Sequence, residues 1–206
     1  MSECQDMKEN TTNENPKDSK ADRILEAAKS CFLNYGFKKT SMSDIAKQAK
    51  MSRPALYLHF DNKETIFCAL VEQLQQQTLS QAEIVLQPEG KIGDRLKQAF
   101  ECHSVELFSL VANSTHGNEL IDINGKVAAE INRASVDKFI QLLAQALEES
   151  EVNQEIRLKN LDLTSLQAAE LLVNSSHGLK QAATSVEDYR VKLKQIIRVF
   201  EKAIAI

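Results

Sequence analysis

The chain has 206 residues, 43% of them hydrophobic, which allows one or two domains with a sizeable core, and its six Gly and three Pro leave long stretches free for helix. No apolar run reaches the ~18 residues that a membrane span needs, and the N-terminus has neither a basic start nor an apolar h-region, so a soluble, unsecreted, cytoplasmic protein is expected. The formal net charge of −4 argues against a nucleic-acid binder only until it is resolved by segment.

Met1 to Asp18 is rich in Glu, Asn, Lys and Thr with almost nothing to bury, so disorder is expected there, and its negative balance argues against a basic minor-groove arm. From Lys20 the pattern becomes helical. Ile24, Leu25, Ala28, Phe32 and Tyr35 share one face, Ser19 or Asp18 can cap the start, and Gly36 suits a left-handed C-terminal position. Ser41 with Asp44 three residues on forms a capping-box pattern for a second helix. Ser52 can cap a third, with Pro54 in its first turn, where a missing amide proton costs nothing. Ile45, Ala46 and Ala49 of one helix are spaced to meet Leu56 and Phe60 of the other in a small core, the alanines permitting close crossing. Arg53, Tyr57 and His59 then point outward, a basic and aromatic face suited to base edges and phosphates of a major groove. A two-helix hairpin with a merely solvated face is the alternative reading.

Thr40 to Asn62, with Leu56-Tyr57-x-x-Phe60, Lys63-Glu64 and the preceding Phe32-x-x-Tyr35-Gly36-Phe37-x-x-Thr40-Ser41, resembles the DNA-binding domain of TetR/AcrR-type transcriptional regulators. The resemblance covers about Ala21 to Leu70. One departure is Lys50, which stands where that family usually has a turn glycine; a left-handed lysine there costs roughly 1 kcal/mol or more. Charge agrees with the location of the motif. Lys20 to Leu70 holds nine Lys/Arg against five Asp/Glu, whereas the segments on either side are both net negative. The resemblance implies that Arg53 recognises guanine, Tyr57 contacts a phosphate or thymine methyl, and Thr40, His59 and Lys63 meet phosphates. Ser41, Ser52 and Pro54 are expected on the same DNA-binding surface, although capping alone explains Ser52 and Pro54.

A long helix is expected over Lys63 to Leu86, with Ile66, Phe67, Leu70, Val71 and Leu74 on one face, ending before Pro88-Glu89-Gly90. Beyond Gly90 the chain reads as wholly helical: Gly93 to Ala112, a short piece over Glu119 to Ile123, Lys126 to Glu149, Thr164 to Ala183, and Val186 to Ile204 with Ser185 as its cap. The fold class expected is therefore all-α, with a tail over residues 1–19, a helix-turn-helix domain over 20–67 and a larger helical domain over 68–206.

The last two helices carry broad apolar stripes: Leu166, Ala169, Leu172, Val173 and Leu179 on one, with Ser176 and Gly178 allowing close approach, and Leu193, Ile196, Ile197, Phe200 and Ile204 on the other. The resemblance implies that they pair with their copies as the interface of a homodimer; the alternative is that both complete the core of one subunit. A two-fold dimer reads two half-sites about one helical turn, roughly 34 Å, apart, and so doubles the contacts of one short recognition helix.

The resemblance also implies double-stranded operator DNA as partner and a small-molecule effector of unknown identity held among the middle helices. Phe100, His103, Leu107, Phe108, Phe139, Leu143 and Val173 are candidates to line a mainly apolar cavity, with Asn113, His116, Asn132, Asn174 or His177 as polar fixtures. No enzyme is expected. His116-x-x-Glu119 puts two metal-ligand types on one face, but a site needs three or four held together, and Cys4, Cys31, Cys68 and Cys102 are far apart with no CxxC pair, so neither metal nor cofactor is expected. The function expected is a sequence-specific regulator, a repressor released from a palindromic operator by its effector. The alternative is a helical small-molecule or metal-binding protein that contacts DNA without sequence preference.

Overall fold

A computed structural model describes residues 19–206; the tail expected to be disordered lies, apart from Ser19, outside them. The described residues form ten α-helices with one π turn and one 3₁₀ turn, and a single isolated bridge, Ile156 with Ala205, is their only strand-like pairing. The all-α expectation is met.

α1 (Lys20–Tyr35), α2 (Met42–Gln48) and α3 (Arg53–Tyr57) form a compact unit on the first half of α4 (Lys63–Val85). The first three starts are capped as the sequence suggests, and the fourth is capped as well. Ser19 accepts from the Asp22 amide, Ser41 and Asp44 form a full capping box, Ser52 accepts from the Ala55 amide and Asn62 from the Thr65 amide. Ile45, Ala46, Ala49 and Leu56 are buried together, with Phe60 half-buried against them. Phe32, Phe37 and Phe67 close this core as an aromatic trio with ring centroids 5.3–5.6 Å apart, which fastens α1 and its following turn to α4. Lys50 has φ +55, so the turn before α3 does carry a left-handed lysine.

The second half of α4 packs on the larger core with α5 (Ile92–Phe100), α8 (Ala129–Val152), α9 (Ser165–Gln181) and α10 (Val186–Ala203). Three stretches depart from expectation. The helix expected over 93–112 runs instead as α5, a π turn at Glu101–Val105, and α6 (Glu106–Ala112). The wider turn shifts the buried face, so that His103 and Val105 both point inward where regular spacing after His103 selects Glu106 or Leu107. The short piece at 119–123 is the longer α7 (Gly117–Val127), and α8 begins at Ala129 rather than Lys126, because the chain breaks at the buried Ala128 (φ −119) with no Pro or Gly to mark it. The Cys68 thiol donates to the Val127 carbonyl that this break exposes. The third departure is a 3₁₀ turn, Leu158–Leu161, pinned to the chain end by the Arg157 amide donating to the Ile204 carbonyl.

The stripes of α9 and α10 require a correction. Ala169, Leu172, Val173, Ser176, Leu193, Ile197, Phe200 and Ile204, nominated as a dimer interface, are buried within one subunit. They complete its core, because α9 lies along α8 and α10 lies along α5. Ser176 is satisfied there by the Tyr189 hydroxyl at 2.6 Å. Of the nominated residues, Leu179 and Ile196 stay half-buried and Leu166 exposed; Leu171, Val191 and Val199, which were not nominated, are the other large apolar side chains these helices expose.

One polar cluster locks this core. Arg95, only 3% exposed, donates to the Leu86 carbonyl, to the Ser150 hydroxyl at 2.6 Å and to Glu155 at 2.8 Å, while Glu155 also accepts from the Ile92 amide. It joins the end of α4, the start of α5 and the end of α8. Glu155→Ala leaves a buried guanidinium without its counter-charge and is expected to cost roughly 2–3 kcal/mol, read as a lower urea midpoint at unchanged slope.

Candidate DNA-binding surface and ligand cavity

α3 is short because its cap and proline define its start and Tyr57 is its last helical residue. Leu56 anchors it, leaving Ser52, Arg53, Pro54, Tyr57 and His59 exposed on one segment. The Arg53 guanidinium donates to the Tyr57 hydroxyl at 3.3 Å and lies 5.5 Å from its ring centre, so the two present a joint donor and aromatic surface. Leu58, 86% exposed, extends that surface with an apolar side chain; it follows Leu56 by two residues, a spacing that puts it off the buried face, and it was missed. Lys38, Lys39, Lys47 and Lys50 are exposed on the same domain, and together with Arg53 they make it the basic part of the chain.

Two expected phosphate contacts are placed otherwise. Thr40 is 3% exposed and its hydroxyl donates to the Gly36 carbonyl at 2.7 Å. The Lys63 ammonium donates to the carbonyls of Phe37 (2.8 Å), Lys38 (3.3 Å) and Thr40 (3.2 Å) and sits 4.5 Å from the Phe37 ring. Its three donors are thus engaged by the α1–α2 turn, and both residues hold that turn in shape. Ser41 is likewise engaged in its capping box.

The same turn meets the larger domain. Glu119 on α7 accepts the Lys38 amide at 2.6 Å, and the Ser114 hydroxyl donates to the Leu33 carbonyl at 2.7 Å. Gly36 (φ +82, ψ 160) has positive φ but extended ψ, and a Cβ on it would lie 2.5 Å from a Glu119 carboxylate oxygen and 3.0 Å from His116 Nδ1. Glycine is required by both the backbone and the close approach. His116 belongs here, 3.8 Å from Glu119, and not to the cavity for which it was nominated.

A cavity of about 630 Å³ lies between the two hydrophobic cores. His103, Leu107, Phe108, Asn132, Phe139, Val173 and His177 line it as expected. Phe100 and Leu143 do not: both are fully buried in the core behind it, and Asn113 and Asn174 are also outside its lining. The residues missed include those from the other side, Phe32 and Leu33 of α1 and Phe67, Leu70, Val71, Leu74 and Gln75 of α4, with Leu120 and Asn124 of α7 and Lys180 of α9. Their apolar spacing reads equally well as ordinary core, so nothing in the sequence marked them. Among the described residues no group of three or more His, Cys, Asp or Glu is placed to hold a metal ion, and no helix is long and apolar enough to cross a membrane.

Burial, with Lys180 and His177 nearby, pushes His103 down to about 4. Its Nδ1 lies 3.2 Å from the Thr78 hydroxyl, which also reaches the Gln75 carbonyl at 3.1 Å. One hydroxyl proton cannot serve both; with it on Gln75, His103 donates from Nδ1 and keeps an acceptor at Nε2.

Residues 24–70 match the family described as bacterial regulatory proteins, tetR family. The HTH-type transcriptional activator FasR of Mycolicibacterium smegmatis is 27% identical over 125 residues, 58% of this chain and 55% of that protein. The chain thus spans about half the length of the curated relatives it matches. Among solved structures, a transcriptional regulator from Cytophaga hutchinsonii superposes with a TM-score of 0.73 at 23% identity, covering 92% of this chain and all of the other. SmeT, the repressor of the Stenotrophomonas maltophilia multidrug efflux pump SmeDEF, does so at 0.65 and 19% over 89% and 91% of the two chains, and SmeT is also known as a complex with triclosan. At these identities the structures show the fold. With the matched N-terminal segment they support a TetR-family transcriptional regulator, the family match itself resting on residues 24–70.

The depressed pKa of His103 has a measurable sign. Between its folded value near 4 and the ordinary value of 6.5 the unfolded chain binds a proton that the folded chain does not, so stability is complete above pH 6.5 and falls as the pH drops through this window. His103 is expected to contribute about 2 kcal/mol to the loss between pH 7 and pH 5. Urea titrations at both pH values should show that much less loss in His103→Gln than in the wild type.

Proposed function

We propose that the protein is a homodimeric, sequence-specific DNA-binding repressor, acting in the cytoplasm, whose hold on a palindromic operator is released when a small molecule fills the cavity. The observation that carries this reading is the composition of the cavity wall. α1 and α4, which support the reading helix, form one side of it, and helices of the larger domain form the other. A ligand seated there contacts the support of the DNA reader directly, so it can favour one arrangement of the reader over another; a coupling of about 1–3 kcal/mol is typical between such sites.

On the DNA side, Arg53 is assigned the guanine contact, Tyr57 a phosphate or thymine-methyl contact, and His59 with Ser52 and Pro54 the flanking backbone. Thr40, Ser41 and Lys63 are assigned to shaping the surface, in keeping with their engaged hydrogen bonds. Selection of random duplex DNA by the purified protein at physiological salt is expected to recover a palindrome with half-sites about one helical turn apart. Arg53→Ala should then cost roughly 1–3 kcal/mol of operator affinity and relax preference at one position of each half-site. A loss equal on all sequences would make Arg53 a backbone clamp, and failure to enrich any motif would favour a non-specific binder.

The dimer is assigned to the outer faces of α9 and α10, where Leu166, Leu171, Val191 and Val199 are exposed, Leu171 by 52% and Val199 by 63%. Gly178 adds close approach, since a Cβ there would meet nothing within 4 Å inside the subunit. Leu171→Glu is expected to shift the protein toward monomer in sedimentation velocity and to weaken operator binding, with urea stability of the monomer little changed.

A further inference from the structure

The cavity is charged in one sense only. Lys29, Arg133 and Lys180 line it, and no Asp or Glu does. Lys29 has Glu26 at 3.5 Å on the surface, and Arg133 is exposed. Lys180 combines what neither of these does: it is half-buried, unlike Arg133, and, unlike Lys29, it makes no ion pair or side-chain hydrogen bond with any described residue, and burial alone pushes its ammonium down. On α9 it follows Val173 and His177 at helical spacing, so the three share one face, and all three line the cavity. His103, across from them on the π turn, and His177 both feel Lys180 as a neighbouring positive charge. The remaining walls are apolar, with Phe32, Phe67, Phe108 and Phe139 among them. On α7 a buried side-chain oxygen of Asn124 has no partner among the described residues.

An ammonium drawn out of water without a counter-charge is unfavourable, and the protein supplies none. A cationic ligand would worsen that imbalance, and a neutral one would leave it. We propose that the effector is an amphipathic organic anion, its acid head paired with Lys180 beside His177 and its apolar body laid along the phenylalanine-lined wall toward α1 and α4. Charge-assisted hydrogen bonds from a half-buried ammonium are stronger than neutral ones, and the His177 ring adds a donor by choice of tautomer, while His103, its Nδ1 turned to Thr78, offers an acceptor at Nε2. The Asn124 oxygen would accept from a hydroxyl or amide on the ligand body. The proposal rests on the reading of the cavity as the effector site.

The test uses the full chain and three probes that share one tail and differ in head charge: dodecanoate, dodecyltrimethylammonium and dodecanol, each titrated calorimetrically below its micelle threshold. Dodecanoate is expected to bind at least about tenfold more tightly than either of the others. Lys180→Gln should lower dodecanoate affinity to near that of dodecanol while leaving dodecanol unchanged, and Lys180→Arg should keep the preference. Equal or tighter binding of the ammonium probe, a preference indifferent to Lys180→Gln, or binding of none of the three would overturn the proposal. Dodecanoate binding that depends on Lys180 yet leaves the operator complex intact would uphold the anion site and refute the effector reading, which separates the two.

Discussion

The turn from Gly36 to Thr40 must satisfy its backbone polar groups without a helix or strand to do so, and the solution joins α1 to α4 and α7. The Thr40 hydroxyl takes the Gly36 carbonyl, the Lys63 ammonium takes three carbonyls from the first turn of α4, and Glu119 takes the Lys38 amide from α7. One short turn is thereby held by the reader itself, by the long helix behind it and by the larger domain. Any movement of α7 or of the start of α4 reaches α2 through partners whose loss would leave polar groups unpaired, each costing about 1–3 kcal/mol. That cost makes the connection stiff.

α4 is the second shared element. Its first half, through Ile66, Phe67 and Leu70, belongs to the core of the reader, and its second half, through Leu79 and Ala82, to the core of the larger domain. Between them, Val71, Leu74 and Gln75 face the cavity. The helix is least packed where a ligand would press on it, and most packed where movement has consequences. Ser114, His116 and Glu119 then provide a second route around the cavity, from the α6–α7 corner to the end of α1. A ligand in this space is bordered on two sides by elements that end at the reading surface.

The helix caps, the small core of α2 and α3 and the outward set Arg53, Tyr57 and His59 were legible in the sequence because each depends on residues close together along the chain, the farthest pair, Ile45 and Phe60, being 15 positions apart. The roles of Thr40 and Lys63 were not. Both are polar residues at positions that suit phosphate contacts, and only the tertiary course of the turn reveals that their donors are already engaged. The break at Ala128 and the π turn at Glu101–Val105 were illegible for a related reason: neither carries Pro, and both are imposed by packing, one by the buried Ala128 and the other by the inward His103 and Val105.

The stripes of α9 and α10 show the same limit more sharply. Periodicity states that a face is buried and is silent on what buries it, so Leu172, Ile197 and Phe200 satisfy a dimer interface and a subunit core equally well at the level of sequence. What separates the two is the apolar area left once the core is complete, and here that remainder is small and mixed with charge, Leu171 lying beside Glu170 and Val199 beside Arg198. Such a surface gives partner choice through complementary charge as well as through burial. The cavity follows the opposite logic: apolar residues were easy to nominate for it and carried little information, whereas Lys180, the half-buried and unpaired cation of its lining, went unnoticed in the sequence and carries the most specific statement about what the cavity would hold.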